Sequence, residues 1–343
     1  MKKIIAIILA FVMLMSFAAC SASPATTEAL SNAPSEENVS DVKTTDDGDN
    51  KFLVGLAFGA LDLTPQILSE NIIAICKEKG WEYTMTNADQ DPSKLLSDVE
   101  SLCQLGCDVI CVRGITDDSM TPIQEACKEA GIPLIALSVV DQDGEYLTLC
   151  CDTTEAGADA CAEWYAQYIQ DHPEQEYNAG FVVGDYSFEA ALCRWTYVRD
   201  VEGSNELANG EANWGAPNAM TLVEDWIKTY PEMNVIGSSS DEMTVGVIQA
   251  LQDAGKSPDD YIVMSYDALD IMQDYILEGW CDASVGLDLE KHARTVCDIL
   301  QKVKDGDTSS VEKLTKAYSI WMCTSENLQG ILDGTAEKVY YEY

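Results

Sequence analysis

Two lobes of parallel β-sheet, each doubly wound with helices on both faces, is the α/β fold that this sequence predicts. Three observations predict it. Short apolar segments alternate with amphipathic ones from Lys51 onward, the alternation restarts near Ala179, and 343 residues are enough for two hydrophobic cores.

The elements follow in order. FLVGLAF is a short apolar strand. The helix TPQILSENIIAICKEKG takes Thr64 as N-cap and Pro65 at its first position, where a missing N–H costs nothing, and Gly80 ends it. The strand WEYTMTN, the helix PSKLLSDVESLCQLG and the strand CDVICVR come next. The helix TPIQEACKEAG, the strand IPLIALSVV, the short strand YLTLCC and the helix TTEAGADACAEWYAQYIQ close the first run. The second run is AGFVVGD, a helix around FEAALCRWTYVRD, then ELANGEAN and the helix APNAMTLVEDWIKTY. NVIGSS, SDEMTVGVIQALQDAG, YIVMSYD, ALDIMQDYILEG and CDASVGLD complete it. Ligands of such sheets bind outside the carboxyl ends of the strands. That singles out the loops 59–66, 113–117, 138–141, 184–188, 214–216, 238–241, 267–269 and 286–290.

Charge excludes some functions. The chain carries 59 acidic against 20 basic residues, a net −39. A partner that needs its phosphates neutralised, nucleic acid above all, is excluded, and so is adsorption to an anionic membrane through protein charge.

Lys2 and Lys3 precede the apolar run IIAIILAFVMLM, and SFAAC follows. A basic stretch, a short apolar stretch and a small-residue cleavage site make a secretory signal, placed at 1–19. The run is too short to span a bilayer, which takes roughly twenty residues. Residues 20–50 are rich in Ser, Thr, Ala, Asp and Glu and cannot bury enough apolar surface to order themselves. As a tether they would hold the folded part on the order of 30 Å from its anchor. The other twelve cysteines form no C-x-x-C, and most sit at apolar-periodic positions, which reads as buried thiols; a disulfide pair stays open.

The stretch SSSDEMTVG, residues 238–246, invites a catalytic reading, but G-x-S-x-G lacks its second glycine here. His172 reads as a surface loop residue, and His292 lies on the exposed-looking helix EKHARTV, so a Ser-His-acid triad is poorly supplied. No Walker, dinucleotide or H-E-x-x-H motif occurs. No enzyme activity, cofactor or metal is expected, and an enzyme at the interlobe cleft is the distant alternative. Ser239-x-x-Glu242 instead fits a capping box, Met243, Val247, Ala250 and Leu251 form the buried stripe, and Ser240 with Asp241 face a ligand.

From about Lys51 to Asn327 the chain resembles the periplasmic binding proteins of the ribose-binding type (type I). The carriers are SLCQLGCDVICVRGITDDSMTPIQEACKEAGIPLIAL, CDTTEAG, SDEMTVGVIQALQDAG, SYDAL and ASVGLDLEKHA, in that order. The resemblance implies two Rossmann-like lobes joined by three crossover strands, closing on a ligand by hinge bending. Lobe 1 would hold 51–154 with 286–316, and lobe 2 would hold 155–285 with 317–343. FAAC resembles a lipobox, which implies lipid on Cys20 after cleavage.

Several sugar-gripping positions depart from the family pattern. Thr64-Pro65-Gln66-Ile67 replaces its N-P-F-F, and Ser138-Val139 replaces its Asp-Arg pair. Its second-lobe arginine aligns with Leu192, while Arg194 lies two places on, facing elsewhere on its helix. Ser240 replaces an asparagine, and Leu287, beside Asp288, replaces a hinge glutamine. Trp214 and Asp267 persist. Trp214 would stack on sugar C–H groups or pack between strand and helix. Asp267 would accept hydroxyl hydrogen bonds or cap the helix ALDIMQDYILEG. Arg113, Asp62 and Gln66 are further loop candidates, Arg113 meeting a ligand or pairing with Asp117 or Asp118. The function implied is a monomeric, lipid-anchored solute-binding protein that carries a sugar or sugar-like polar molecule to the permease of an ABC importer. A receptor of the same fold feeding a histidine kinase or chemoreceptor is the alternative.

Overall fold

Parallel strands, most of them joined by a single helix, build both halves of the molecule. The computed structural model describes residues 51–138, 144–151, 154–317 and 320–341. The signal sequence, Cys20, the linker to residue 50 and Val139 lie outside the described residues.

The chain begins β1 (Leu53–Phe58), α1 (Leu63–Lys79), β2 (Glu82–Asn87), α2 (Pro92–Leu105), β3 (Val109–Arg113), α3 (Asp117–Ala130), β4 (Leu134–Ala136) and β5 (Thr148–Cys150). It continues α4 (Thr154–Asp171), β6 (Tyr177–Val183), α5 (Glu189–Arg199), β7 (Ser204–Glu211), α6 (Ala216–Thr229), β8 (Val235–Ser238) and α7 (Asp241–Asp253). It ends β9 (Ile262–Asp267), α8 (Asp270–Leu277), β10 (Ala283–Leu287), α9 (Leu289–Lys304), β11 (Leu314–Thr315), β12 (Ile320–Thr324) and α10 (Ser325–Leu332).

The first sheet has the order β11-β5-β4-β3-β1-β2, and the second β12-β10-β9-β8-β6-β7. Every pairing is parallel except β10 with β12, which set Ser284 opposite Cys323. The chain therefore passes between the sheets three times: after β5, after β10 and between β11 and β12.

Strand alternation divides each lobe into two cores. In β1, Val54, Leu56 and Phe58 face α1 and the Val296–Leu300 side of α9, while Ala57 faces Leu95, Val99 and Ile123 of α2 and α3. In β6, Phe181 and Val183 meet Tyr165 and Tyr197, while Val182 meets Val223, Val247 and Leu251. Each such large side chain taken fully out of water contributes about 1.5–3 kcal/mol. The cysteines take part in this packing. Ten of the twelve described ones are buried, and Cys76, Cys111, Cys161 and Cys297 lie inside the apolar clusters.

Three readings of the sequence are corrected. Asp62, not Thr64, precedes the first turn of α1, which puts Pro65 at the third helical position; Gly80 ends the helix at φ 69° as expected. His292 is fully buried, and its Nε2 donates to the Cys150 carbonyl at 2.6 Å, because α9 lies with that side against the first sheet. The sequence reading also gave no elements for β11, β12 and α10, where the strand–helix alternation stops.

Helices α6 and α7 pack closely because Gly246 has no side chain. A Cβ there would lie 2.1 Å from the Ala216 carbonyl oxygen. Gly246→Ala is expected to destabilise the fold by about 1–3 kcal/mol, read as a lower urea midpoint. A midpoint equal to wild type would show that this contact yields freely.

Candidate functional site

The carboxyl ends of the two sheets face each other across a cleft of about 90 Å³. Lobe 1 supplies Asp62, Thr64, Gln90 and Arg113 to its walls, and lobe 2 supplies Asp185, Phe188, Arg194, Trp214, Ser240 and Asp267, with Leu287 at a crossing. Among the described residues, all six non-glycine residues with positive φ stand in three strand-end loops at this cleft: Asp89 and Gln90, Asn213 and Trp214, Asp267 and Ala268. Such conformations cost of order 1–3 kcal/mol each and persist where packing imposes them. Here they turn Gln90, Trp214 and Asp267 toward the cleft.

The stretch 238–246 is divided by its hydrogen bonds. Ser240, not Ser239, caps α7, its Oγ accepting from Met243 N at 3.3 Å. Ser239 Oγ accepts from Gly184 N, and its carbonyl accepts from Arg194 Nη1 at 2.6 Å. Ser238 is held by Tyr197, whose hydroxyl donates to its carbonyl at 2.6 Å. Asp241 does not face the cleft as expected. It is completely buried behind the wall, where it accepts from Ser265 Oγ at 2.5 Å, Ser284 Oγ at 2.9 Å and Leu269 N at 2.6 Å. Helical geometry turns it inward, one position past the cap. Burial, reinforced by the neighbouring Asp267 charge, pushes its carboxyl up to about 8 against the three donors.

Asp267 does line the cleft and is 4% exposed. It does not cap a helix, since α8 starts at Asp270 with Leu269 before it. Burial raises its carboxyl to about 6, while Arg194 and the Thr64 hydroxyl pull the other way. Arg194 corrects the expectation that it faces elsewhere: α5 turns Leu192 to solvent and Arg194 inward. Its guanidinium lies 3.7 Å from the Tyr266 ring centre and 5.9 Å from that of Trp214, and Nη1 is 3.9 Å from Asp267 Oδ1. Trp214 packs edge-to-face on Phe188 at 6.0 Å and presses on Gly184, where any Cβ would sit 2.5 Å from the indole. Its remaining surface lines the cleft.

In lobe 1, Thr64 Oγ1 donates across the cleft to Asp267 Oδ2 at 3.1 Å, and Leu63 N donates to Glu242 Oε2 at 3.4 Å. Glu242 was read as the closing half of a capping box on its own helix; instead it reaches the first turn of α1 in the other lobe. Asp62 Oδ1, Arg113 Nη1 and Arg194 Nε are buried without hydrogen-bond partners. Arg113 forms no ion pair with Asp118.

Besides Asp241, three candidates are not brought to the cleft walls. Gln66 is exposed on α1 and donates to Glu70 at 3.0 Å. Asp288 caps α9 by accepting from Lys291 N at 2.9 Å, leaving the cleft to Leu287. Ser138 is buried beside β4, its hydroxyl without a partner. Sequence reasoning missed Thr64, Gln90, Asp185 and Phe188 as lining residues, although the loops 59–66 and 184–188 contain three of them.

Two outcomes are expected. The unfolded Asp241 carboxyl ionises near its ordinary 3.8, whereas the folded one keeps its proton to about 8. Between those values the folded state binds more protons, so stability falls as pH rises. Asp241→Asn should flatten the decline of the urea midpoint between pH 5 and 8; a slope equal to wild type would refute the buried-proton assignment. Glu242→Ala should weaken closure by about 1 kcal/mol, seen as a larger radius of gyration in small-angle scattering, and an unchanged radius would show that the cross-cleft bond does not hold the lobes.

Comparison with known proteins places this geometry. The sequence profile of the periplasmic binding protein domain matches residues 65–308. The ribose import binding protein of Bacillus subtilis (strain 168) is 23% identical over 230 residues, 66% of this chain and 73% of that protein. A solved galactofuranose binding protein superposes with a TM-score of 0.74 at 18% identity, covering 83% of this chain and 98% of its own. An ABC transporter solute binding protein from Bacillus halodurans C-125 with bound myo-inositol gives 0.73 at 21%, covering 84% and 100%. With two parallel-sheet lobes, three crossings and a profile match over most of its folded length, this chain belongs to the periplasmic binding protein family, in its type I fold.

Proposed function

We propose that this protein binds a small polyhydroxylated solute, a sugar or close relative, and delivers it to the membrane permease of an ABC importer. The observation that carries this reading is the composition of the cleft. Carboxylates, arginines and an indole face converge there, and buried donors and acceptors remain without protein partners. Carboxylates and guanidinium groups form strong charge-assisted bonds to hydroxyls, and an indole covers the C–H face of a ring. The names of relatives support the same class, since they include ribose import and xylitol-binding proteins.

Binding acts by closure. Thr64, Asp267, Glu242 and Leu63 already span the cleft, and a solute touching both walls adds contacts made only when the lobes are together. No bond in the solute is made or broken. The chain is exported and held by lipid on Cys20 at the outer face of the cell membrane. It works as a monomer whose lobes divide at 51–154 with 286–316 and 155–285 with 317–343.

Thermal unfolding of the full chain in mild detergent, with pentoses, hexoses, inositols and alditols, tests the reading. A solute at a hundred times its dissociation constant stabilises the folded state by about 2.7 kcal/mol, so at least one should raise the midpoint by several degrees. Trp214→Ala should lower that solute's affinity about tenfold. No shift with any of these solutes would overturn the sugar reading.

A further inference from the structure

Asp62 occupies the position where aspartate ordinarily caps a helix, yet its side chain makes no capping bond. A cap side chain serves the second and third N–H groups of its helix, and the third residue of α1 is Pro65, which has none; the Leu63 N–H, at the first position, is bound by Glu242 from lobe 2. Asp62 Oδ1 is buried in the cleft wall without a hydrogen-bond partner. Arg113 ends β3 in the same wall, with Nη1 equally buried and equally without a partner. An acceptor and a donor of opposite charge thus stand in one small cleft and do not bond to each other.

A solute group that both donates and accepts matches this acceptor and this donor. A solute hydroxyl is such a group: its hydrogen goes to Asp62 Oδ1 and its lone pair takes the Arg113 N–H. A carboxylate would serve Arg113 but meet Asp62 with like charge, and an ammonium would serve Asp62 but meet Arg113. Among the described residues, lobe 1 adds no aromatic ring to the cleft, and its charged groups there are Asp62 and Arg113.

We infer that Asp62 and Arg113 form a clamp in lobe 1 that holds one hydroxyl, or two vicinal hydroxyls, of an uncharged solute and sets the protein's specificity against charged analogues. The inference rests on the sugar reading of the cleft. It adds two residues that the family pattern does not supply and a rule for which sugars are refused.

Isothermal titration calorimetry on the full chain in mild detergent tests it with D-ribose, L-arabinose, D-galactose, myo-inositol and xylitol, and with the charged probes D-galacturonate and D-galactosamine. A neutral member should bind, and both charged probes should bind at least tenfold more weakly than it. Asp62→Asn and Arg113→Met should each weaken the bound neutral member about 10- to 100-fold. The double variant should lose less than the product of the two, because both groups act on the same hydroxyls. Unfolding midpoints within a few degrees of wild type confirm that the variants are folded; the charged-probe comparison on the wild-type chain decides the matter even where a variant is not. A charged probe binding as tightly as the neutral member would overturn the clamp and leave the sugar reading intact. So would variants that bind like wild type, or losses that simply multiply. Failure of every probe to bind would bring down the sugar reading and the clamp with it.

Discussion

The second lobe is organised around one buried carboxyl group. Asp241 begins α7, takes the hydroxyl of Ser265 from β9 and of Ser284 from β10, and takes the N–H of Leu269 before α8. Two strands and two helices are therefore tied at a single side chain with no exposure to water. An unpaired carboxyl in that place would be very costly, so its three donors are obligatory and their positions are fixed. Fixing Ser284 also fixes Ala268, whose N–H donates to the same hydroxyl at 3.0 Å. The left-handed turn at Asp267 and Ala268 is a consequence: the network holds both ends of the loop, and Asp267 is left aimed outward at the cleft.

The same economy governs the opposite wall. The first turn of α1 lacks a local cap, and lobe 2 supplies one in Glu242. Anions suit helix N-termini, so this contact is favourable whenever the lobes are together and is lost when they part. Thr64 to Asp267 behaves alike. Each contact alone is worth about 1 kcal/mol, which is enough to bias an open–closed equilibrium without locking it. A solute that adds a few more such bonds across the cleft can then decide the equilibrium, as binding by closure requires.

Much of this was legible in the sequence. Alternating strands and helices gave the two lobes, and the rule that ligands lie at carboxyl ends of strands pointed to the loops that line the cleft. Asp267, Trp214, Ser240, Arg113 and Asp62 were found because they sit in those loops. The errors share a physical cause. A capping box, an exposed helix face and a helix direction are local inferences, whereas Glu242, His292 and Arg194 are placed by contacts 179, 142 and 45 residues away. Asp241 and Asp288 were assigned to the cleft from adjacency, but one residue of helix or loop rotation sends a neighbour into the core or onto a cap. The N-terminal signal and Cys20 are sequence inferences alone, lying outside the described residues.

The departures from the family pattern have a common direction. Aromatic residues are missing from the first wall, where Thr64 and Pro65 stand, and the usual Asp-Arg pair is replaced at Ser138. Charge has moved to other places in the same wall, to Asp62 and Arg113, both of which carry buried atoms that the protein itself leaves unsatisfied. A fold does not tolerate such atoms without compensation. On the proposed reading, the compensation comes from the solute that the cleft admits. On that reading the two lobes divide the work differently from a pair of stacking faces: Trp214 and Phe188 offer a surface on one side, and Asp62 and Arg113 a hydrogen-bonding edge on the other.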